Sequence, residues 1–449
     1  NSSYYTDAKG GALNQLYGVY EAPTKGMDIY LTIDIDLQIL LERVLENTAA
    51  KYHPDQILGL MMNPKNGEIL AMASYPSFYP ENYQDYDQEI YNRNLPIWMS
   101  FEPGSTFKVI TYSAGLEEGV FKLDDTFYDP GYKMIGSTRI KDWKAGGHGL
   151  QSFLEVIQNS CNPGFMEIGE RLGKERLFDY IHAYGFGKKT GVDLLGESTG
   201  IVFNLDNVGP VELATASFGQ GNSVTPIQLV NATSAAINGG VLYQPYVLKE
   251  MRMPITNELI YQNKPKMIRR VISEETSKIM QYALESVVAK GTGRNAYIDG
   301  YRVGGKTGTA QKAVDGRYLD NNYIVSFIGA APMNDPELVV YVAIDNPKNV
   351  VQYGGVVAAP VVKEILQEAL PILGVAKQID QIEKEYRWGL DVKYYIVPDL
   401  IGKKRNELPI QYHYRYQYYG EGNIVKFQSP APYERVPEGG TIMVYLGRE

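Results

Sequence analysis

The chain contains very little cysteine. Its single cysteine, Cys161, cannot form a disulfide within the chain, so its thiol is either free or bound to a metal. Positive charge is also scarce: 43 lysines and arginines stand against 52 aspartates and glutamates, which gives a formal net charge of -9. Because nucleic acid is a polyanion that needs a basic surface, the sequence excludes nucleic-acid binding as the function.

The chain also lacks a long hydrophobic run. A membrane helix needs about 18 or more consecutive apolar residues, and none occurs, so the sequence predicts neither a membrane span nor a retained signal peptide. The chain begins at Asn1 without a methionine and stays irregular and glycine-rich through Gly26. We therefore expect a soluble fragment of a longer precursor, which contacts the membrane only through an N-terminal anchor missing from this sequence.

The length and composition indicate a globular protein with more than one domain. Hydrophobic residues make up 44% of the chain and charged residues 21%, which are ordinary values for globular proteins. A chain of 449 residues exceeds the size at which a single hydrophobic core stops growing. At least two folding units are therefore expected.

The hydrophobic pattern predicts an α+β fold. Strands at both ends of the first unit, with helices between and after them, indicate helices packed on an antiparallel sheet. Two pairs of the predicted strands, 57–62 with 69–73 and 324–331 with 338–345, form hairpins whose apolar runs suit buried central strands. Helices are predicted over 35–51, 105–118, 273–289 and 361–373, and further strands over 29–33 and 301–311.

A hydroxyl and an amine stand three residues apart in Ser105-Thr106-Phe107-Lys108, at the start of a predicted helix. That spacing puts both groups on one helical face. A serine becomes a good nucleophile when a neighbouring base takes its proton, and a neutral lysine can be that base. The segment suggests covalent catalysis, although this pattern arises by chance roughly once or twice in a chain of this length.

Two further motifs follow in order along the chain. Ser160-Cys161-Asn162 supplies a second hydroxyl and an amide, and Lys306-Thr307-Gly308-Thr309 supplies a cation, a hydroxyl and a glycine that allows close approach to a ligand. Each motif alone also suits a helix cap or a solvated strand lysine. The order S-x-x-K, S-x-N, K-T-G is the signature of penicillin-binding proteins and serine β-lactamases.

With these motifs, essentially the whole chain resembles the class B penicillin-binding proteins, the D,D-transpeptidases that cross-link peptidoglycan. Gly219-Gln220-Gly221, Thr225-Pro226 and Gly291-Thr292-Gly293 are similar to further segments of that family. Near the C-terminus, 397–402 and 436–441 resemble a PASTA module. One such module is typical of the sporulation-specific enzymes of endospore-forming Gram-positive bacteria.

The resemblance implies a domain organisation. It comprises an N-terminal pedestal remnant over 1–27, a transpeptidase domain with the penicillin-binding and serine β-lactamase-like fold over 28–376, a linker over 377–392, and a small α+β PASTA domain over 393–449. The PASTA domain is predicted as a β/α/β unit. Its tyrosine-rich run, 412–419, is predicted as a half-buried strand with an aromatic face, with carbohydrate stacking as the alternative.

The family mechanism, carried over by motif, implies roles for the first two motifs. Ser105 would attack the penultimate D-alanine carbonyl of a stem peptide that ends in D-Ala-D-Ala, with Lys108 as its base. Ser160 would relay a proton to the leaving amine. Asn162 would hold the substrate amide and orient Lys108.

The K-T-G motif would bind the other end of the substrate. Lys306 and Thr307 would hold the terminal carboxylate, with a contribution from Thr309, while Gly308 keeps the strand open to close approach. The backbone N–H groups of Ser105 and Thr309 would form the oxyanion hole. A β-lactam would acylate the same serine and stay attached, because its ring fragment does not leave.

Four residues between positions 129 and 161 have side chains that are acceptable zinc ligands: two aspartates, a histidine and the single cysteine. As a bare pattern, aspartate, histidine and cysteine within about thirty residues are common. Some class B relatives hold zinc with the same spacings, so the resemblance implies a structural zinc that fixes the residues on either side of Cys161. Asp124 and Asp125 are alternatives to Asp129 as a ligand. If no zinc binds, Cys161 is a buried small side chain. The implied ligands are Asp129, Asp142, His148 and Cys161.

The resemblance also implies partners and a location. The partners are peptidoglycan stem peptides, β-lactams and a membrane glycosyltransferase that supplies nascent glycan. The location is the extracytoplasmic face of the bacterial cytoplasmic membrane, which for a sporulation enzyme means the forespore membrane. The alternatives are a vegetative septal or elongation transpeptidase, a D,D-carboxypeptidase or β-lactamase-type hydrolase, and a non-catalytic β-lactam sensor or cell-wall-binding scaffold.

Overall fold

The computed structural model describes residues 2–3, 19–20, 26–314, 317–385, 394–409, 413–437 and 439–448. Most of the expected pedestal remnant, part of the predicted linker and residue 412 of the tyrosine-rich run lie outside these described residues. The chain divides into two compact units, Asn1–Glu383 and Lys384–Glu449. The division falls within the segment 377–392.

The first unit mixes helices and strands along its length, as the pattern predicts. In its described residues the α-helices are α1 Ile35–Tyr52, α2 Gln88–Tyr91, α3 Leu95–Trp98, α4 Lys108–Glu117, α5 Phe153–Gln158, α6 Asn162–Leu172, α7 Lys174–Ala183, α8 Pro210–Ser217, α9 Pro226–Ile237, α10 Glu274–Lys290 and α11 Gly354–Ile372. None of the described helices is both long and apolar enough to cross a membrane.

The strands of the first unit form one central sheet and several small ones. They are β1 Ser2–Ser3, β2 Val19–Tyr20, β3 Asp28–Leu31, β4 Gln56–Met62, β5 Ile69–Tyr75, β6 Thr126–Asp129, β7 Tyr132–Ile135, β8 Thr138–Lys141, β9 Gly149–Ser152, β10 Val241–Tyr243, β11 Leu248–Arg252, β12 Leu259–Gln262, β13 Met267–Arg270, β14 Gly304–Val314, β15 Arg317–Ala331 and β16 Leu338–Asp345.

The central sheet has five strands in the order β14-β15-β16-β4-β5, and every neighbouring pair is antiparallel. Both predicted hairpins are present, and β16 is buried along its whole length. Alternate residues of β16 pack into two cores, because successive side chains of a strand point to opposite faces. Val340 and Val342 join the core that contains α1 and α11, while Val339 and Tyr341 join the core that contains α4 and α9.

Several elements differ from their predicted bounds. Strand β15 starts at Arg317, before the predicted 324, and β14 covers Gly304–Val314 where 301–311 was predicted. The helix predicted over 105–118 begins with a 3-10 turn, Gly104–Phe107, and becomes α-helical at Lys108. Helix α11 starts at Gly354, before the predicted 361, because buried apolar residues already line its core face ahead of Pro360. The predicted strand 29–33 appears as β3, whose side chains are exposed in a separate three-stranded sheet with β11 and β12.

The second unit is a small β structure around its own core. Strands β17 Tyr394–Ile396 and β20 Arg435–Pro437 pair, and β18 Arg415–Tyr419, β21 Thr441–Gly447 and β19 Ile424–Ser429 form a three-stranded sheet. The residues of β18 alternate between exposed and half-buried, with Tyr416 and Tyr418 on the half-buried face, as predicted for a half-buried strand with an aromatic face. The predicted α-helix is absent from the described residues, whose helical element is a 3-10 turn over 405–407.

We expect the Gly354→Ala substitution to destabilise the first unit, because a β-carbon at this position would lie 2.3 Å from the Gly308 carbonyl oxygen and 2.4 Å from that of Ser326. Overpacking of this kind costs about 1–3 kcal/mol. Thermal unfolding followed by circular dichroism should show a lower midpoint. Gly26→Ala is the control because Gly26 has open space around it, and equal midpoints for the two variants would contradict the expectation.

Candidate active site

The Ser105 turn, which is the 3-10 turn Gly104–Phe107, lies between the loop that contains Gly219 and β14, the edge strand of the central sheet. Gly104, with a φ of 53°, donates its N–H to the Gly219 carbonyl at 3.1 Å. A β-carbon on Gly219 would lie 2.0 Å from the Gly104 oxygen, so this loop requires a glycine there. On the other side, the Gly104 Cα faces the backbone of Thr309 on β14. The tight packing holds Ser105 at the edge of β14 with its side chain partly exposed.

Lys108 joins the first motif to the second. Its fully buried amine donates to the Ser160 carbonyl at 2.7 Å, to Asn162 Oδ1 at 2.6 Å and to Ser160 Oγ at 3.1 Å. Burial lowers the pKa of Lys108 to about 8, and the charges of Asp142 and Cys161 act in the opposite direction. Within the described residues the Ser105 hydroxyl has no hydrogen-bond partner, so the lysine is oriented by the second motif alone.

Lys306 connects the third motif to the Ser160 hydroxyl. Its fully buried amine donates to Ser160 Oγ at 2.9 Å and lies 3.2 Å from Thr307 Oγ1. Burial lowers the pKa of Lys306 well below its usual value, and the charge of Lys108 lowers it further. Two adjacent buried amines disfavour two simultaneous charges, whereas a carboxylate that binds beside Lys306 would favour its charged form.

The last two residues of the third motif, Gly308 and Thr309, contact neighbouring elements. A β-carbon on Gly308 would lie 2.3 Å from Ser326 Oγ and 2.9 Å from Thr106 Cγ2, so the glycine lets the Ser105 turn approach the strand. The sequence predicted close approach of a ligand here, and the described structure shows close approach of the protein itself. Thr309 Oγ1 accepts the Gly354 N–H at 3.1 Å, which anchors the start of α11.

Thr292 links the second and third motifs, a role that the sequence analysis missed. Its N–H donates to the Gln158 carbonyl at 2.9 Å, and its hydroxyl lies 3.2 Å from Thr307 Oγ1. A β-carbon on Gly291 would lie 2.4 Å from the Gln158 oxygen. The Gly-Thr-Gly segment before β14 was the available signal, because paired glycines mark a close approach of two backbones.

The turn that carries Ser160 has a strained backbone conformation. Ser160 has a φ of 55°, which non-glycine residues rarely adopt and which persists only where surrounding contacts hold it. The Trp143 indole N–H donates to the Asn159 carbonyl at 3.0 Å, and Asp142 Oδ1 accepts the Asn162 N–H at 2.9 Å. Contacts on both sides of Ser160 therefore fix its hydroxyl between the two lysines.

The four residues implied as zinc ligands come together beside this turn. One ligand atom from each of Asp129, Asp142, His148 and Cys161 lies within 4.8 Å of the others. His148 Nδ1 lies 3.0 Å from Asp129 Oδ2 and 2.9 Å from Asp142 Oδ2, and Cys161 Sγ lies 3.4 Å from Asp129 Oδ2. Asp124 and Asp125, the alternative ligands, are exposed and outside the cluster.

The chemistry of this cluster fits a bound cation. Asp142 Oδ2 is buried and accepts no hydrogen bond in the described structure, because His148 Nδ1, 2.9 Å away, also lies 3.0 Å from Asp129 Oδ2 and has one proton to donate. Burial raises the pKa of the Cys161 thiol, and the charge of Asp142 raises it further. Burial acts to raise the pKa of Asp129 as well, but the Gly131 N–H and His148 outweigh it and lower that pKa. An unsatisfied carboxylate oxygen beside imidazole and thiol ligands is the donor set that zinc takes.

Comparison with known proteins assigns this fold and site to one family. The family described as the penicillin binding protein transpeptidase domain matches residues 57–367, which contain all three motifs. The chain belongs to this family. The match confirms the predicted transpeptidase class and the antiparallel sheet with packed helices as its fold.

Individual relatives indicate which members of the family the chain is similar to. The chain is 56% identical over 448 residues to stage V sporulation protein D of Bacillus subtilis, covering 99% of this chain and 69% of that protein. It is 34% identical over 358 residues to the probable peptidoglycan D,D-transpeptidase PenA of Neisseria meningitidis, covering 79% of this chain and 59% of PenA. These identities agree with a class B enzyme of the sporulation type.

Solved structures are similar over the same region. Penicillin binding protein 3 of Mycobacterium tuberculosis, complexed with ampicillin, aligns with a TM-score of 0.75 and 29% identity, over 81% of this chain and 82% of that one. The transpeptidase domain of penicillin-binding protein 3 of Burkholderia pseudomallei aligns with a TM-score of 0.68 and 30% identity, over 78% of this chain and 98% of that one.

The acylation rate of Ser105 is expected to rise with pH through about 8, the pKa to which burial lowers Lys108, because the protonated amine cannot accept the serine proton. The measurement is the initial rate of labelling by a fluorescent penicillin between about pH 6.5 and 9.5. Circular dichroism over the same range controls for unfolding. A rate that stays flat across this range would exclude Lys108 as the base.

Proposed function

We propose that this chain is a serine D,D-transpeptidase that cross-links peptidoglycan through an acyl-enzyme on Ser105. The observation that carries the proposal is the Ser160 hydroxyl, which lies between the amines of Lys108 and Lys306 beside the Ser105 turn. This arrangement provides a base with a lowered pKa three residues after the Ser105 nucleophile, and a hydroxyl that contacts both amines and can pass a proton.

The first half-reaction forms an ester and releases D-alanine. Neutral Lys108 accepts the Ser105 proton as the serine oxygen bonds to the penultimate D-alanine carbonyl carbon. The N–H groups of Ser105 and Thr309 stabilise the negative oxygen of the tetrahedral intermediate. When the peptide bond breaks, Ser160 passes the proton from Lys108 to the departing amine, so Lys108 is neutral again in the acyl-enzyme and Lys306 keeps its charge.

Recognition of the terminal carboxylate uses the K-T-G strand. Lys306 in its charged form and the hydroxyl of Thr307 donate to this carboxylate, as they would to the carboxylate of a penicillin. Binding therefore sets the charge of the site: the carboxylate favours the proton on Lys306, and that charge in turn disfavours a proton on Lys108. The substrate thereby helps to prepare the base.

The second half-reaction transfers the acyl group to an amine of a neighbouring stem peptide. A hydrolase would instead need a carboxylate or another base aimed at a water molecule beside the ester. Glu102 is three residues from Ser105, but its carboxylate accepts hydrogen bonds from Gly221 and Tyr318. With its carboxylate held by these two donors, Glu102 gives no specific support to a hydrolase.

We also propose a structural zinc held by Asp129, Asp142, His148 and Cys161. The support is the convergence of these four side chains and the buried unsatisfied oxygen of Asp142. When bound, zinc would supply a fixed link among the four side chains and no step of the reaction. Since Cys161 lies between Ser160 and Asn162, this link would position both of them.

The cellular role proposed is spore peptidoglycan synthesis. It is supported by the 56% identity to the Bacillus sporulation protein. A role in forespore peptidoglycan requires the active site to lie outside the cytoplasmic membrane, with a glycosyltransferase as the source of new glycan. The segment 393–449 is proposed as a PASTA module on the sequence resemblance of its two ends.

We expect one penicillin adduct per chain by intact mass spectrometry, and none with Ser105→Ala, because the ester forms on this hydroxyl. Ser100→Ala is the matched control, an exposed serine nearby in sequence whose loss should leave the adduct intact. With a D-Ala-D-Ala donor peptide and an amine acceptor, the amide product should exceed the hydrolysed one. Predominant hydrolysis would indicate a carboxypeptidase, and the absence of any adduct on the unmodified chain would indicate a non-catalytic scaffold.

Metal analysis of the purified chain is expected to give one zinc per chain, and Cys161→Ser should reduce that content. Removal by a chelator should lower the thermal midpoint by several degrees, because metal binding contributes directly to folding. Asp124→Asn is the matched control and should change neither value, since Asp124 lies outside the cluster. The zinc proposal would be refuted if the purified native chain contained no metal and its thermal unfolding midpoint did not change when the chelator was added.

A further inference from the structure

Glu102 is a charged side chain near Ser105 that the proposed reaction does not use. Its Oε1 atom accepts the Gly221 N–H at 2.9 Å and the Tyr318 hydroxyl at 3.0 Å, and its Oε2 atom lies 3.1 Å from the same hydroxyl. The carboxylate thus contacts two segments that are distant in sequence from each other and from itself. Hydrogen bonds to an ionised carboxylate are stronger than those between neutral groups.

The segment around Glu102 is already joined to the 219–224 segment by backbone hydrogen bonds. Phe101 and Val224 exchange two of them, at 3.2 and 2.9 Å, and the Gly104 N–H donates to Gly219. Tyr318 belongs instead to β15, where it pairs with Ala313 of β14. The Tyr318 hydroxyl is therefore the side-chain connection between the β14–β15 hairpin and Glu102.

This connection spans the two halves of the proposed oxyanion hole. One donor, the Ser105 N–H, lies three residues after Glu102 on the same continuous segment. The other, the Thr309 N–H, lies on β14, four residues before the Ala313 that pairs with Tyr318. Burial, followed by the charge of Glu102, raises the pKa of Tyr318 to about 12, so its hydroxyl remains a donor at neutral pH.

We propose that Glu102 is a positioning residue which, through Tyr318, holds the β14–β15 hairpin against the Ser105 turn and so maintains the separation of the two oxyanion donors. The inference rests on the proposed function. Backbone packing of Gly104 on Thr309 already brings the two segments together, so loss of the connection affects their exact spacing rather than their folding. The chemical step is sensitive to that spacing because the donors act on charge that develops in the transition state.

The test compares Tyr318→Phe, Glu102→Ala and Glu102→Gln with the unmodified chain. Stopped-flow labelling with a fluorescent penicillin separates the initial binding constant from the acylation rate constant, and a β-lactam-like boronic acid reports affinity for a tetrahedral adduct. Tyr261→Phe is the matched control, an exposed tyrosine on β12 for which no hydroxyl hydrogen bond is found in the described structure. Thermal midpoints are measured for every variant.

We expect Tyr318→Phe and Glu102→Ala each to lower the acylation rate constant and the boronic acid affinity by about three- to tenfold, the net contribution of one ordinary hydrogen bond, because Tyr318 is half exposed to solvent. Initial penicillin binding and the thermal midpoint should stay unchanged. Glu102→Gln keeps an acceptor oxygen and should restore most of the rate. The double variant should lose no more than Glu102→Ala alone, because both changes break the same connection.

Normal acylation rate constants in both Tyr318→Phe and Glu102→Ala would overturn the inference. So would additive losses in the double variant, or losses that follow the thermal midpoint. If the unmodified chain forms no penicillin adduct on Ser105, the proposed function itself fails. If that adduct forms at a normal rate in the unmodified chain and in all variants, the transpeptidase assignment stands and only the positioning role of Glu102 is lost.

Discussion

The burial of two lysine amines around one serine hydroxyl is the constraint on which the rest of the active site depends. Lys108 and Lys306 are both fully buried and both donate to Ser160 Oγ. A buried ammonium is costly, and two adjacent ones are costlier, so the environment lowers the pKa of each. The same packing that excludes water therefore prepares a lysine to act as a base near neutral pH, a role that a solvated lysine could not perform.

The structure holds this arrangement by contacts that leave almost no room for adjustment. Gly219, Gly291, Gly308 and Gly354 each lie where a β-carbon would meet a neighbouring atom at 2.4 Å or less. These glycines bring the three motif segments and the start of α11 into backbone contact. The strained φ of Ser160 is maintained within this rigid frame. The active site is thus built chiefly from close backbone packing, and the catalytic side chains depend on it for their positions.

The zinc-ligand cluster adjoins the second motif, and Glu102 adjoins the first. The cluster adjoins the Ser160 turn through Cys161 and through Asp142, which accepts the Asn162 N–H. Glu102 adjoins the Ser105 turn and contacts the hairpin that contains β14. Neither group is needed to make or break a bond in the proposed reaction. In the roles proposed for them, both only orient groups that take part in the reaction, as a catalyst made of three separate segments requires.

The sequence by itself determined the motifs, their order and the antiparallel hairpins, because spacing and hydrophobic periodicity are local properties of the chain. The four potential zinc ligands came from the resemblance to class B penicillin-binding proteins and not from spacing alone. The sequence missed the contacts of Thr292 and Glu102, the early start of α11 and the 3-10 turn at Ser105. The resemblance implied that Asn162 orients Lys108, and the structure agrees. Only the tertiary structure decided that Ser160 also holds this amine, since hydrogen bonds between residues more than fifty positions apart depend on how the helices pack on the sheet. The tertiary structure also lowers the pKa of Lys108 and Lys306, because the burial of their amines depends on the folding of distant segments around them.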